Sequence, residues 1–358
     1  MDDRALARWR MHTLRLSGRR YPSPTATVGG LLAVQAENHP QASWAVATRT
    51  DGTVTETGFG ELFDAGAILR THVLRPTWHF VRPDDIRWLL ELTAPRVRRA
   101  SRQQERELGL DGTTIGAATT AIAEAIAGEG PRTRAELGAR LRDRGLPGDG
   151  PAFGIVLTHA ELDGLICSGP VVDGQHTNVL LADRAPDARR LDRDTARAEL
   201  VLRYVTGHGP ATERDLAYWA SLTLTDVRAG LADVADRLDR LDHHGRTYWF
   251  TEPPPAGDPE PEPRAHLLQV LDEYHNGYQD SRGILDAGGI VPPGRQRTVG
   301  MVLVDGQMVG GMRRRVTDAE VTFELDLHRT LDANERGAVA AAADRYGAFL
   351  ERSATVVG

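Results

Sequence analysis

The sequence predicts a mainly α-helical protein with β-hairpins, an α+β fold of three tandem winged-helix units plus a C-terminal β-rich unit. Three observations predict this fold class. Groups of helical patterns are each followed by a hairpin pattern, one such group recurs along the chain, and residues 265–358 are dominated by strand patterns. A chain of 358 residues has room for two or three domains, and 41% hydrophobic with 26% charged residues is an ordinary globular composition.

The first unit, residues 1–110, combines helices with one hairpin. Residues 68–81 are β-branched and aromatic on both sides of Arg75-Pro76, which predicts two antiparallel strands. Apolar residues at helical spacing predict helices at 1–16, 27–34, 41–48, 58–65, 84–92 and 97–108.

The second and third units, residues 111–190 and 191–252, repeat one order of elements. Helices predicted at 115–127, 133–144 and 151–162 precede a hairpin at 165–181, whose turn is Asp173-Gly174. Helices predicted at 194–206, 212–220 and 223–238 precede the third hairpin of the chain, at 241–250. The segments GPRTRAEL (130–137) and GPATERDL (209–216) align in these two groups, so we interpret them as an internal repeat.

Residues 253–264 are acidic and proline-rich, a composition that predicts an extended, exposed linker. In the last unit, residues 265–358, the pattern predicts strands at 297–304 and 307–314, joined by Asp305-Gly306. A third strand at 320–327 and a closing helix at 332–352 complete the prediction.

Composition excludes several chemistries. All 43 lysine-plus-arginine residues are arginine, so a lysine Schiff base and a lysine-bearing phosphate loop are both excluded. Cys167 is the single cysteine, which excludes an internal disulfide and a multi-cysteine zinc site. The sequence has no long apolar stretch and no apolar signal-peptide core near its start, which predicts a cytoplasmic protein with no membrane partner.

Charge is unevenly distributed. The net charge of −7 argues against nucleic acid as a partner, but arginines concentrate at 65–106 and at 287–316, both beside predicted hairpins. Guanidinium groups match phosphate geometry, so these two patches are candidate DNA contacts, and Arg313 and Arg314 belong to the second.

One short motif carries candidate chemistry. Gln35-Ala36-Glu37 is expected at the end of a helix, just before Asn38-His39-Pro40. An amide and a carboxylate two residues apart there can face one cavity, where together they can bind and polarise a water molecule. The histidines form no spaced cluster, and we interpret His159 and Glu161 on the helix 151–162 as structural. The sequence therefore predicts no metal and no cofactor.

Four segments resemble the AlkZ-like and YcaQ-like DNA glycosylases, a family of bacterial tandem winged-helix proteins. They are GLLAVQAENHP (30–40), RPTWH (75–79), LDEYHNGYQD (271–280) and VLVDGQMVGG (302–311), and they occur in order over nearly the whole chain. The family carries Gln-x-Gln or Gln-x-Asp where this chain has Gln35 and Glu37.

The resemblance implies a function for these residues. Glu37 is expected to act as general base and to stabilise the positively charged sugar, and Gln35 to orient the attacking water. DNA or lesion contacts are expected from residues in or beside the matching segments and from the second arginine patch: Asn38, His39, Arg75, Thr77, Trp78, His79, Arg313 and Arg314.

The expected activity is that of a monofunctional DNA glycosylase without lysine-based lyase activity. Its expected substrates are alkylated purines in double-stranded DNA, namely N7-alkylguanine and N3-alkyladenine, with bulky natural-product adducts and crosslinks left open. The role would be base excision repair or self-resistance, carried out by a monomer in the bacterial cytoplasm, bound to the nucleoid.

The alternative is a non-enzymatic winged-helix regulator that reads bases with its recognition helices. The helix predicted at 151–162 has no arginine, and the helix predicted at 223–238 carries three aspartates against two arginines. Helices that read bases usually carry more hydrogen-bond donors, so this argues against the alternative.

Overall fold

The computed structural model describes residues 1–255, 264–294 and 299–358. Residues 256–263, the centre of the predicted linker, lie outside the described residues. So do the start of the strand predicted at 297–304 and two arginines of the patch at 287–316, Arg295 and Arg297. None of the described helices is both long enough and apolar enough to span a membrane.

The first unit packs five helices around a three-stranded sheet of order β1-β3-β2. Its elements are α1 (Asp3–Thr13), α2 (Pro24–Leu31), β1 (Val34–Gln35), α3 (His39–Ala47), α4 (Glu56–Asp64), β2 (Leu69–His72), β3 (Trp78–Val81) and α5 (Pro83–Glu107).

Two predictions for this unit are wrong. The Gln35-Ala36-Glu37 motif does not end a helix, because α2 ends at Leu31 and its C-cap residue Leu32 has a φ of +65°, which is outside the right-handed helical region. Residues 84–92 and 97–108 are not two helices but one, since α5 continues through Pro95. An interior proline costs a helix about 3 kcal/mol, and the apolar side of α5, which packs on helices of the second and third units, outweighs that cost.

The second and third units show the predicted order of three helices followed by a hairpin. The second contains α6 (Gly112–Glu129), β4 (Arg132–Thr133), α7 (Arg134–Asp143), α8 (Gly150–Leu162), β5 (Ile166–Val172), β6 (Gln175–Leu180) and α9 (Leu181–Arg184). The third contains α10 (Arg193–His208), α11 (Glu213–Trp219), α12 (Leu224–Asp233), β7 (Asp239–His243) and β8 (Arg246–Phe250). Thr133 and Thr212 each close a capping box at the start of the second helix, which explains why the two segments look alike.

The C-terminal unit is a five-stranded sheet of order β13-β12-β11-β10-β9, with one long helix packed on it. Its elements are β9 (Ala265–Leu268), α13 (Glu273–Asn276), β10 (Gly300–Val304), β11 (Gln307–Val316), β12 (Glu320–Leu327), α14 (Ala333–Leu350) and β13 (Ser353–Val357). The terminal strand β13 was not predicted, and it pairs in parallel with β12.

The hydrophobic core joins the units instead of separating them. The largest cluster combines Trp88 of α5, Tyr204 and Trp219 of the third unit, and Tyr274 and Tyr278 of the C-terminal unit. The segment after β9 is therefore inserted between the first and third units. A buried ion pair holds it there, since the Arg49 guanidinium donates to both carboxylate oxygens of Asp272 at 2.6 and 2.9 Å.

Candidate active site

The Gln-x-Glu motif and the first hairpin form one sheet. Strand β1 pairs antiparallel with β3, so that Gln35 lies opposite His79. The backbone N–H of Ala36 then donates to the carbonyl of Trp78 at 2.7 Å. Because this pairing continues up to the motif, the position of Glu37 is fixed relative to the hairpin.

Gln35 is buried and held through its amide oxygen. Its Oε1 accepts hydrogen bonds from Arg75 Nη2 at 2.9 Å and from Asn276 Nδ2 at 3.0 Å. Within the part of the chain that the structure describes, its Nε2 makes no hydrogen bond. The side chain therefore presents an N–H donor in a fixed orientation.

A buried carboxylate lies behind Gln35. Glu273 Oε1 accepts the backbone N–H of Gln35 at 2.9 Å. Its Oε2 accepts from Trp219 Nε1 at 2.8 Å and from His208 Nε2 at 3.3 Å. Burial raises the pKa of Glu273, but the hydrogen bond and charge of His208, with Arg75 and the Gln35 N–H, more than compensate and lower it to about 2. Glu273 is thus ionised and ties the third unit to the motif.

Arg75 and His79 form the wall behind Gln35. Burial first, and then the Arg75 charge, lower the pKa of His79 to about 3, so the ring is neutral at pH 7. His79 Nδ1 lies 3.0 Å from the carbonyl of Thr77 and donates to it, which leaves Nε2 to accept from Arg75 Nη2 at 3.3 Å. Both side chains are buried, at 7% and 0% exposure, and their expected contacts with DNA stay predictions.

Glu37, by contrast, is exposed beside the hairpin. One of its carboxylate oxygens lies 3.4 Å from the backbone N of Trp78. Arg70 holds the main chain here by donating from Nε to the carbonyl of Ala36 at 2.9 Å. The carboxylate is therefore positioned by its backbone, and it remains open to water and to a substrate.

The neighbouring predicted contacts have different surroundings. Asn38 is exposed and its Oδ1 caps α3 by accepting from the Gln41 N–H at 3.2 Å. Thr77 Oγ1 is buried and has no hydrogen-bond partner among residues 1–255, 264–294 and 299–358. Trp78 is half-buried, with the Arg70 guanidinium 4.3 Å above its ring.

A carboxylate of the second unit anchors this hairpin. Glu161 on α8 accepts Trp78 Nε1 at 3.2 Å, and its other oxygen accepts the backbone N–H of His72 at 2.6 Å and His72 Nδ1 at 2.7 Å. Burial raises the pKa of Glu161, but the charge and hydrogen bonds of His72, with the hydrogen bond from Trp78, have the larger opposite effect. The pKa of Glu161 is therefore lowered. Glu161 is structural, as interpreted from the sequence, but it acts across units on the wall of the candidate site.

His39 packs into an aromatic cluster. Its ring centroid lies 4.8 Å from Phe63, 5.1 Å from Phe80 and 5.0 Å from His176 of the second hairpin. Burial, followed by the charges of His176 and Arg70, lowers its pKa to about 3. In this structure His39 joins the first two units as a neutral ring, and a direct contact of this ring with DNA stays a prediction.

Replacing His39 by phenylalanine is expected to reduce the acid sensitivity of the fold. The folded protein keeps His39 neutral down to about pH 3, whereas the unfolded chain takes up a proton below its ordinary pKa of 6.5. Stability is therefore lost as pH falls between these values, by up to about 1.4 kcal/mol per pH unit for one histidine. His39→Phe keeps the ring and removes this proton, so its melting temperature should fall less between pH 7 and pH 4 than that of the wild type. The exposed His244→Phe is the control, and equal pH dependence in all three proteins would contradict the prediction.

The remaining predicted contacts lie elsewhere. Arg313 and Arg314 are on β11 of the C-terminal sheet, not on the sheet that carries the motif. Arg313 is exposed, and the Arg314 guanidinium lies 5.2 Å from the ring centre of Tyr346.

One group of side chains has the spacing of metal ligands. Ligand atoms of Asp3, His243 and His244 lie within 4.8 Å of one another at the third hairpin. His243 Nε2 is 2.6 Å from Asp3 Oδ1, so the group already forms an ion pair or hydrogen bond, and we assign it no role in the candidate site.

The candidate site thus combines a fixed amide and an exposed carboxylate on tandem helix–hairpin units. The chain belongs to the AlkZ-like DNA glycosylase family, whose model matches residues 28–349. The family resemblance read from the four sequence segments is thereby confirmed.

A curated relative and a solved structure are both similar to this chain. An interstrand DNA cross-link repair glycosylase of Streptomyces sahachiroi is 28% identical over 252 residues, which is 66% of this chain and 66%, just under two thirds, of that relative. The solved structure of Streptomyces sahachiroi DNA glycosylase AlkZ aligns with a TM-score of 0.81 and 22% identity, covering 100% of both chains. This second likeness establishes the fold alone, and the number of winged-helix units stays a prediction.

Proposed function

We propose that the protein is a monofunctional DNA glycosylase that hydrolyses the N-glycosidic bond of alkylated purines in double-stranded DNA. The observation that carries this proposal is the contrast between two side chains of one motif. Gln35 is buried and fixed through its amide oxygen, whereas Glu37, two residues later, exposes its carboxylate beside the first hairpin.

The chemistry suits one carboxylate and one amide. An N7- or N3-alkylated purine is cationic and leaves readily, so the sugar becomes oxocarbenium-like as the bond from C1′ to the base breaks. Glu37 would accept a proton from the attacking water and stabilise the positive sugar electrostatically. Gln35 would donate from Nε2 to that water or to the DNA backbone. The water oxygen bonds to C1′ and the purine leaves as a neutral base.

The substrate range follows from the exposure of Glu37. A carboxylate at the surface, beside a hairpin, can reach a lesion that projects from a groove, so bulky natural-product adducts are included in the proposal. The relative named for interstrand cross-link repair supports crosslinked DNA as a further substrate. Base excision repair or self-resistance would be the corresponding cellular role, in a monomer of the bacterial cytoplasm that binds the nucleoid.

The remaining proposed contacts are with DNA. Arg313 and Arg314 are proposed to bind phosphates. Asn38, which follows Glu37 in the sequence, and Trp78, whose backbone N lies 3.4 Å from the Glu37 carboxylate, both retain exposed surface beside the motif. His39, Arg75, Thr77 and His79 would act mainly by holding the motif and the hairpin.

The test is base release from duplexes that carry N7-methylguanine, a bulky N7-alkylguanine or an N7-linked interstrand crosslink. We expect free modified base and a strand that breaks only after alkali, because the sequence has no lysine to form a Schiff base. Strand breakage before alkali would contradict the monofunctional assignment. DNA binding without release from any of the three substrates would contradict the enzyme and leave a winged-helix binding protein or regulator.

A further inference from the structure

A second cluster of polar side chains shares no residue with the Gln-x-Glu motif or with the groups that hold it. A cavity of about 510 Å³ lies between the segment after α1, strand β9 and helix α14. Its polar lining consists mainly of Arg20, Arg264, Arg345 and His266. Small residues spaced by four along one side of α14 leave the space open: Ala333, Gly337 and Ala341.

The lining is strongly basic. Three arginines and no carboxylate line the cavity within the part of the chain that the structure describes. Burial and the charges of Arg20 and Arg264 lower the pKa of Arg345, against a smaller opposite effect of Asp344. Arg20 and Arg345 form no ion pair with any carboxylate of the described residues. Arg20 and Arg345 are like charges in one cavity, and such charges cost free energy unless an anion compensates them.

Two lining side chains also have unused polar atoms. His266 is 4% exposed, and its Nε2 has no hydrogen-bond partner among the described residues. Arg345 donates from Nη2 to the carbonyl of Ala265 at 2.9 Å. Its Nε is buried and, like His266 Nε2, has no hydrogen-bond partner among the described residues. Burial and the surrounding arginines lower the pKa of His266 to about 3, so this ring can donate a hydrogen bond without adding charge. Unsatisfied buried polar atoms are rare in folded proteins and indicate a missing partner.

We propose that this cavity is a binding site for a phosphate group, contacted by Arg20, Arg264 and Arg345 and by the His266 ring. Phosphate is the anion that guanidinium groups match best, through paired N–H donors. The volume lies within the range of about 300–1,000 Å³ that small-ligand sites occupy, so the phosphate can belong to a mononucleotide-sized phosphomonoester or to the DNA backbone. The proposal stands apart from the proposed glycosylase activity.

Titration calorimetry of the full chain with inorganic phosphate and with dAMP tests the site. Binding is expected with a Kd of about 1 mM or tighter, and Arg20→Met and Arg345→Met should weaken it at least about tenfold. Arg20 donates no hydrogen bond to another described residue, so its replacement separates binding from folding. Arg144→Met, an exposed arginine paired with Glu124, is the matched control and should bind as the wild type does.

A short undamaged duplex distinguishes the two sources of phosphate. If the site takes a DNA phosphate, Arg20→Met and Arg345→Met should weaken duplex binding, whereas Arg144→Met should not. Each of the two should also reduce the slope of log affinity against log salt concentration by about one unit. If neither free phosphate, dAMP nor the duplex discriminates these variants from the wild type, the proposal is overturned. Base release measured on the same proteins keeps this outcome separate from that of the glycosylase proposal.

Discussion

Replacing Glu37 by glutamine is expected to reduce the rate of base release by at least about 100-fold, because a positioned general base contributes about 10²–10⁴-fold. Glutamine keeps the length of the side chain and an oxygen that can face the backbone N–H of Trp78. It can neither accept a proton from water nor place a negative charge beside the oxocarbenium-like sugar. Because Glu37 is exposed, the substitution should leave the melting temperature unchanged.

Single-turnover base release from an N7-methylguanine duplex, together with duplex affinity, measures this effect. Glu61→Gln, an exposed glutamate on α4, is the matched control and should release base at the wild-type rate. Glu37→Asp retains the charge with a shorter reach and should keep more activity than Glu37→Gln. If Glu37→Gln keeps the wild-type rate, another group activates the water and the assignment of Glu37 is wrong.

The sequence located the motif but not the structure around it. The family resemblance singled out Gln35 and Glu37, while the local pattern predicted a helix end at this place. A strand of two residues has no periodicity of its own, and β1 exists because Gln35 and Val34 pair with His79 and Phe80 on the hairpin. Pairing over more than forty positions in the chain overrides the local preference.

The groups that hold the site are the part that the sequence could not reveal. Glu273 and Asn276 contact Gln35 from 238 and 241 positions away, and the only signal for them was the resemblance of the segment 271–280. Glu161 carried no signal, because an acidic residue on an isolated helix shows nothing of its contacts with His72 and Trp78. The helix–hairpin order, in contrast, was predictable, since capping threonines and Asp-Gly turns are local features.

Replacing Glu273 by glutamine is expected to destabilise the protein by about 3 kcal/mol and to impair base release together with it, because removing one partner of a buried charged network costs about 3–5 kcal/mol. The carboxylate accepts from the Gln35 N–H, Trp219 Nε1 and His208 Nε2. An amide leaves one oxygen for these three donors and turns an NH₂ group toward the rest. Gln35 then loses the support of its main chain, although its own side chain is unchanged.

Calorimetric melting at pH 7 should show a decrease of about 5 °C or more for Glu273→Gln, and the less buried Glu213→Gln should shift by much less. The folded-state pKa of about 2 lies below the ordinary value of 4.5, so the stability that Glu273 contributes is present above pH 4.5 and is lost as pH falls toward 2. The gap between wild type and Glu273→Gln should therefore narrow in acid. If the difference in melting temperature stays constant with pH, Glu273 is not ionised in the folded core. If the variant melts as the wild type does, Gln35 is supported by Arg75 and Asn276 alone.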